Sequence, residues 1–388
     1  MKAPVVPSEA QRSRGTLSAA GEVSPLRRAL RGSGRDDGLT RRSVLLAGAL
    51  LPPLLSSGAR VASAAPPPEP ITRALIDAAS KEGKVTYYTA MDLSVAEPMA
   101  KAFEAKFPAI KVAVERSGAE RVFNRIAQEM ASKIYRVDVA NSSDAAHFIV
   151  WKREGWLAPF VSQEMARDVP AEMIDADGLF CNQRTHLSTI AYNSKLLAPA
   201  DAPKGFMDLL DPKYSGKLVK GHPGYSGTIM TATQQLAREL GWSYFEKLAK
   251  QKVLQVQSAT EPPKRIVAGE RAIAVDGSDY LFWVAKEKGQ PIEVVHAVEG
   301  TPLISNPMGI FKAAPNPNAA RLLVSWIMSA EGQQFIVDVS GQYPANRQVK
   351  AKAGRPALAQ IKTLREEPEA VEKQADEIKT RYAKYFKV

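Results

Sequence analysis

The chain has 388 residues, 45% of them hydrophobic and 24% charged, the mix of a soluble globular protein with room for two domains, each with its own core. Its formal charge of +11 raises nucleic acid as a partner, but residues 1–64 alone hold ten Lys/Arg against four Asp/Glu, which leaves 42 against 37 in the rest. That remainder is only mildly basic and has no basic run interleaved with aromatics, so nucleic-acid binding is set aside.

The N-terminal segment reads as an export address. Arg41 and Arg42 precede one polar residue and an apolar stretch over 44–55, interrupted by Pro52 and Pro53 and followed by the small residues of 61–65. A charged region, a short apolar core and an Ala-Ser-Ala site make a secretory signal with cleavage expected after Ala64, and the paired arginines point to the Tat route. The apolar core is about a dozen residues against the ~20 a spanning helix needs, which disfavours the competing reading as an anchor. No cysteine stands at the cleavage site, so no lipid anchor is expected, and residues 1–39 read as a disordered extension. The expected location is the periplasm, without stable membrane insertion. One cysteine, Cys181, can form no internal disulfide and reads as a small buried hydrophobe.

Residues 65–70 are a proline-rich spacer. Beyond it, apolar spacing predicts a helix over 71–82, a β-branched and aromatic strand over 84–90, a helix over 94–107 stopped by Pro108, and a strand over 111–115. A helix over 121–133, a strand over 137–140 and a helix over 144–154 follow. Residues 159–183 read as irregular and acidic, and 187–192 as an extended apolar run. A second α/β region then runs through a strand at 217–220, helices over 226–240 and 242–251, a strand at 252–256, a helix over 261–269, a strand at 272–275 and a helix from 278. Strands near 292–296 and 303–311 lead into helices over 316–329 and 331–339, and the charged C-terminus is helical by period, with Leu358, Ile361, Leu364, Val371, Ala375, Ile378 and Tyr382 inward. The alternation specifies an α/β fold of two lobes joined by extended crossings. The first lobe is expected over 71–185, completed by part of 295–345, the second over 186–300, and a C-terminal helical segment over 346–388. A cleft between lobes is the usual place for a ligand.

No standard catalytic arrangement is present. The four histidines form no zinc motif, and neither a G-x-S-x-G elbow nor a phosphate-loop motif occurs. The expected chain is therefore not an enzyme and needs no cofactor, although a periplasmic enzyme on the same architecture stays the reading from another class. What recurs is a strand or loop that ends in small hydroxyl or glycine residues just before a helix: Ser117-Gly118, Ser142-Ser143-Asp144, and Tyr225-Ser226-Gly227-Thr228. Unpaired N–H groups and the positive end of the dipole make such a start an anion site, while plain N-capping is the competing use.

The segment PKYSGKLVKGHPGYSGTIMTA (212–232) resembles a stretch of the periplasmic solute-binding proteins of the ferric-iron-binding-like group that serve ABC importers. The resemblance extends through VTYYTA, EPMAKAFEAKFP, KVAVERSG, STIAYNSKLL, GERAIAVDGSDY and APNPNAARLLVSWIMSAEGQQFI, over about residues 71–347. It implies a type II-like two-lobed receptor with a hinge, a monomer, whose partners are a small-molecule ligand, a permease and an ATPase. Ferric binders of the group carry adjacent tyrosines, hard oxygen donors, at the helix start that here reads Ser278-Asp279-Tyr280-Leu281. With one tyrosine left, a small organic anion, phosphorylated ligands included, is favoured over ferric iron, for which Tyr280 and Asp279 would be the ligands. The candidate lining is Thr89, Ala90 and Asp92, then Ser117 and Gly118, then Ser142, Ser143 and Asp144, from the first lobe. His222, Tyr225, Ser226, Gly227, Thr228, Asp279 and Tyr280 come from the second. Arg184, as a bidentate anion donor or an interlobe ion pair, and Asn306, near the end of a late strand, complete it.

Overall fold

The computed structural model describes residues 65–388; the export signal, Arg41, Arg42 and the expected cleavage after Ala64 lie outside the described residues. Helix α1 (Arg73–Glu82) begins where Thr72 Oγ1 accepts from the Leu75 amide (3.1 Å) and ends at Gly83 in the left-handed region, φ +71°. Strand β1 (Lys84–Thr89), helix α2 (Leu93–Lys106), β2 (Lys111–Arg116), α3 (Ala119–Ala131), β3 (Val139–Asn141) and α4 (Ala146–Arg153) follow. Parallel pairing of β1 with both β2 and β3 is what crossover helices enforce. The short β4 (Leu157–Ala158) and α5 (Gln163–Asp168) lead to β5 (Cys181–Leu187) and β6 (Ile190–Asn193). The second lobe adds β7 (Leu218–Gly221), α6 (Gly227–Leu240), α7 (Trp242–Ala249), β8 (Leu254–Val256), α8 (Pro262–Val267), β9 (Ile273–Ala274), α9 (Asp279–Glu287) and β10 (Ile292–Val295). The chain ends with β11 (Thr301–Phe311), α10 (Pro317–Met328), α11 (Ala330–Ser340), β12 (Tyr343–Pro344), β13 (Thr363–Leu364) and α12 (Pro368–Phe386).

Two sheets result. One runs β12–β5–β11–β3–β1–β2, with β4 and β13 also on β11; the other runs β10–β6–β9–β7–β8. Each has helices and a core of its own: Phe103, Trp326 and Leu322 pack in the first lobe, Phe206, Tyr244 and Leu248 in the second. The chain crosses between the lobes on two neighbouring strands. β5 passes to β6 through Ser188 and Thr189, and β10 passes to β11, while β5 and β11 pair antiparallel with a register shift between Ser305 and Pro307. A paired double crossing with an irregularity is a hinge that can flex without losing its ladder.

Three local expectations differ from the structure. Residues 159–183 hold α5 and the start of β5, and all seven β5 residues are buried although most are polar (CNQRTHL). A strand that buries polar side chains gives no apolar alternation to read. The run expected over 187–192 is instead split between β5 and β6. Residues 346–367 are mostly irregular, with Leu364 in β13, and the helix starts only at Pro368, in the first-turn position proline tolerates. Among the described residues no helix is long and apolar enough to cross a membrane. Cys181 is buried, and burial pushes its thiol up to about 12, the state of an inert core side chain.

Candidate functional site

A cavity lies where the crossing strands meet the helix starts of both lobes. The first lobe lends Ala90 and Met91 after β1, Arg116 and Gly118 around the end of β2, and Ser143 after β3. The second lends Ser226 and Thr228 at the start of α6, Ser258 and Thr260 after β8, and Ser278 and Tyr280 at α9. Arg184, His186 and Asn306 on the crossing strands, with Gln342, form its floor. The cavity volume is about 20 Å³, room for about one water, so the lobes are closed upon it.

Closure is made by contacts between lobes. Arg116 Nη2 donates to Ser258 Oγ (3.5 Å) and Thr260 Oγ1 (3.4 Å), and Arg121 Nη2 donates to Gln257 Oε1 (2.9 Å). Two glycines let the backbones meet. A Cβ added at Gly118 would lie 2.6 Å from the Tyr225 carbonyl oxygen, and one added at Gly227 would lie 2.7 Å from Asp144 Cβ and 2.9 Å from Ala119 Cβ. Only hydrogen fits at either position.

The floor is cationic and short of acceptors. Arg184 is 2% exposed; its Nη1 donates to Asn141 Oδ1 (3.2 Å) and Gln183 Oε1 (2.5 Å), and its buried Nε has no partner. Among the described residues no carboxylate pairs with Arg184 or with Arg116, whose Nε is likewise buried and unpartnered. Burial lowers the Arg184 guanidinium from its ordinary value, the expected cost of a charge held without a counter-ion. Gln342 Nε2 is a third orphaned donor, against one orphaned acceptor, Asn306 Oδ1. Burial, and after it the Arg184 charge, push His186 down to about 3, so it is a neutral imidazole at ordinary pH. Asn306 Nδ2 donates to its Nδ1 (2.9 Å), which leaves Nε2–H to face Thr228 Oγ1 (3.3 Å) and frees the threonine hydroxyl hydrogen to point into the cavity.

Ala90, Gly118, Ser143, Arg184, Ser226, Thr228, Tyr280 and Asn306, all expected from sequence, lie together on the cavity wall. The other expected residues lie off it. Thr89 Oγ1 donates to Asn141 Oδ1 and accepts from the Met91 amide, and Asp92 caps α2 through the Ser94 amide. Ser117 donates its amide to the Thr89 carbonyl. Ser142 Oγ bonds His147 Nδ1 (2.9 Å), and Asp144 Oδ1 accepts from the Ala146 amide (3.0 Å). His222 Nδ1 accepts from the Gly224 amide, Tyr225 is 40% exposed with Arg121 over its ring, and Gly227 sits at the seam between lobes. Asp279 Oδ1 accepts the Leu187 amide (3.0 Å), turned toward β5 and away from the cavity, because that crossing strand has a free N–H to satisfy there. It thus lies off the wall that Tyr280 lines.

Arg116, His186, Ser258, Thr260 and Gln342 are lining residues that the sequence reading missed. Ser258-Ala259-Thr260 follows a strand and precedes a helix, the same pattern used elsewhere, and His186 shares a strand face with Arg184 by alternation. Elsewhere among the described residues, the grouping that could hold a metal is Glu120, Asp144 and His147, all buried. Glu120 there is already bridged, Oε1 to His147 Nε2 (3.0 Å) and Oε2 to Lys379 Nζ (2.5 Å), so the cluster closes on its own charges.

Comparison with known proteins places this geometry. Residues 89–334 match the family described as bacterial extracellular solute-binding protein. A probable ABC transporter periplasmic-binding protein, y4fP of Sinorhizobium fredii, is 24% identical over 274 residues, 68% of this chain and 75% of its own. The periplasmic binding protein AfuA of Actinobacillus pleuropneumoniae, solved with fructose-6-phosphate, superposes with a TM-score of 0.73 at 22% identity, over 79% of this chain and 99% of that one. Iron-bound HitA of Pseudomonas aeruginosa gives 0.67 at 23% identity, over 78% and 99%. At such identities the structural likeness establishes the two-lobed fold, which solutes of different chemistry share.

Proposed function

The chain belongs to the bacterial extracellular solute-binding protein family, and from that premise we propose that it captures a small organic anion between its lobes and delivers it to the permease and ATPase of an ABC importer. The observation that carries the choice of ligand is Arg184: a guanidinium 2% exposed, with an unpartnered Nε and no carboxylate paired with it among the described residues. Burying a cation alone costs several kcal/mol, and a ligand anion that completes the pair recovers that cost. Arg116 supports the same reading from the other side of the cavity, and the hydroxyls of Ser143, Ser226, Thr228, Ser258 and Thr260 suit an oxyanion with several acceptor oxygens. The starts of α3 and α6 also border the cavity, where helix N-termini offer backbone donors.

A phosphorylated ligand fits this donor set best, and the fructose-6-phosphate held by the similarly folded Actinobacillus protein supports that class. Ferric iron is the second reading, supported by the iron bound in the similarly folded Pseudomonas structure, and here it would find Tyr280 as the one phenol on the wall, with two arginines beside it and Asp279 turned away. Two cations and a lone hard donor make a poor cage for a trivalent ion. Binding proceeds by closure. The open lobes admit the anion to Arg184, the second lobe brings α6 and the residues after β8 down upon it, and Gly118 and Gly227 allow the seam to shut.

The cavity hydroxyl that stands beside a histidine, Thr228, accepts from His186 Nε2–H and gives it no proton, which supports a receptor that releases its ligand unchanged over a periplasmic enzyme of the same shape. We also propose export by the Tat route with cleavage after Ala64, lobes bounded near residues 185 and 300, and a monomer. Calorimetric titration against sugar phosphates, phosphonates, dicarboxylates and ferric ion, with each ligand recovered and weighed afterward, tests the function. Saturable binding of an anion recovered intact is expected, and a changed product would establish catalysis instead.

A further inference from the structure

Helix α12 touches both lobes, but on different terms. Near its C-terminus Tyr382 is fully buried in the second-lobe core, its hydroxyl within 3.2 Å of the Gly221 carbonyl and 2.7 Å of Gln255 Oε1, and its ring stacked on Phe386. Tyr385 and Phe386 pack against the same core. Toward the first lobe the helix lies along α4 and is tied down by ion pairs. Lys379 Nζ meets Glu120 Oε2 at 2.5 Å, and Arg153 Nη2 meets Glu372 Oε1 at 3.3 Å. The apolar cluster beneath Val371, Ala375 and Ile378 takes a single small side chain, Ala146, from the first lobe, together with Met230 from the second.

Glu120 stands in the first turn of α3, next to Ala119 on the cavity wall, and its other oxygen bonds His147 Nε2. We infer that α12 travels with the second lobe and that the Lys379–Glu120 pair is a latch, made when the lobes close, that sets the population of the closed form. The physical reason is the asymmetry of buried charge. With the lobes apart both groups return to water, whereas closure without Lys379 buries the Glu120 carboxylate with the histidine as its remaining partner, a strongly unfavourable state. Removing both charges removes that penalty, so the two substitutions should be strongly non-additive. A helix that merely stabilised one lobe would lower the melting point and leave the opening equilibrium alone.

The inference rests on the receptor reading, and the test separates the two. Ile134→Cys on the first lobe and Leu196→Cys on the second put exposed thiols on opposite lobes, while Cys181 stays buried. Single-molecule energy transfer between dyes on the full chain then reports lobe separation, with inorganic phosphate as the anion probe. Lys379→Met should lower the closed-to-open ratio roughly tenfold, and Lys379→Arg or the pair Lys379→Met with Glu120→Gln should recover most of it. A parent protein that opens and closes with the same ratio in Lys379→Met overturns the latch alone. One fixed separation in every variant, with and without phosphate, overturns the latch and the receptor reading together.

Discussion

Gly227→Ala gives the seam between lobes a measurable consequence. An alanine methyl would stand 2.7 Å from Asp144 Cβ, 2.9 Å from Ala119 Cβ and 3.0 Å from the Asp144 amide nitrogen, where carbon contacts settle near 3.5–4.0 Å. All three are backbone or Cβ atoms at helix starts and cannot swing aside, so the lobes must stop short of closure by roughly 1 Å. Overpacking of this kind costs about 1–3 kcal/mol, and because it falls on the closed form alone it weakens ligand binding about fivefold to about a hundredfold. The open form should not suffer. Gly227 opens α6, and alanine is the better helix residue by up to about 1 kcal/mol, so the ligand-free melting point should hold or rise slightly. Titration calorimetry with the tightest anion, beside melts of the ligand-free variant, reads both numbers. An unchanged dissociation constant would refute the closed seam, and so would a fall in melting point that accounts for all the lost affinity. Gly118→Ala, 2.6 Å from a carbonyl oxygen, should behave in the same way.

Two further outcomes follow from the buried charges. Arg184→Met should abolish detectable anion binding, a loss of about 2–5 kcal/mol or at least ~30-fold, while the ligand-free protein melts no lower than the parent because an uncompensated buried cation has gone; lower melting with intact affinity would make Arg184 a structural residue. Glu366, half-buried against the Ser305 amide on the hinge strand, is pushed up to about 7 chiefly by loss of water around its carboxyl group. Its folded value lies above the unfolded one near 4.3, so its stabilising share is complete below pH ~4 and is lost as pH rises through about 7. Glu366→Gln should therefore stabilise the protein on the order of 2–3 kcal/mol at pH 8 and little at pH 4.5, read by denaturant titration at both. Equal effects at the two pH values would contradict it.

The β-α alternation was legible because β1, α2 and α3 carry clean apolar periods, and those periods place the helix starts that wall the cavity. Arg184 and Asn306 were readable from their neighbours on extended strands. What escaped has a common physical origin. The seven residues of β5 are buried yet mostly polar, since Arg184 and His186 line the cavity and Asn182 and Gln183 bond neighbouring groups, and such a strand has no apolar face to announce it. The SGT loop reads as a single unit in sequence, but Ser226 and Thr228 face the cavity while Gly227 faces Asp144 across the seam; one residue's difference in direction on a helix turn decides which surface it meets. Asp279 offered an oxygen beside Tyr280 on paper, and the need of the Leu187 amide for an acceptor turned it elsewhere. Competition for backbone hydrogen bonds is settled in three dimensions and leaves no mark in a motif.

The most direct test of the account is a thermal-shift titration of residues 65–388 with a panel of sugar phosphates, phosphonates, dicarboxylates and ferric ion, run in parallel on Arg184→Met. A ligand at about a thousand times its dissociation constant adds about 4 kcal/mol to the folded state, several degrees for a protein of this size. The expected result is that at least one organic anion gives such a shift in the parent and none in Arg184→Met, with ferric ion giving neither a shift nor a phenolate charge-transfer colour. A coloured ferric complex that stabilises both proteins alike, with no anion active, would contradict it.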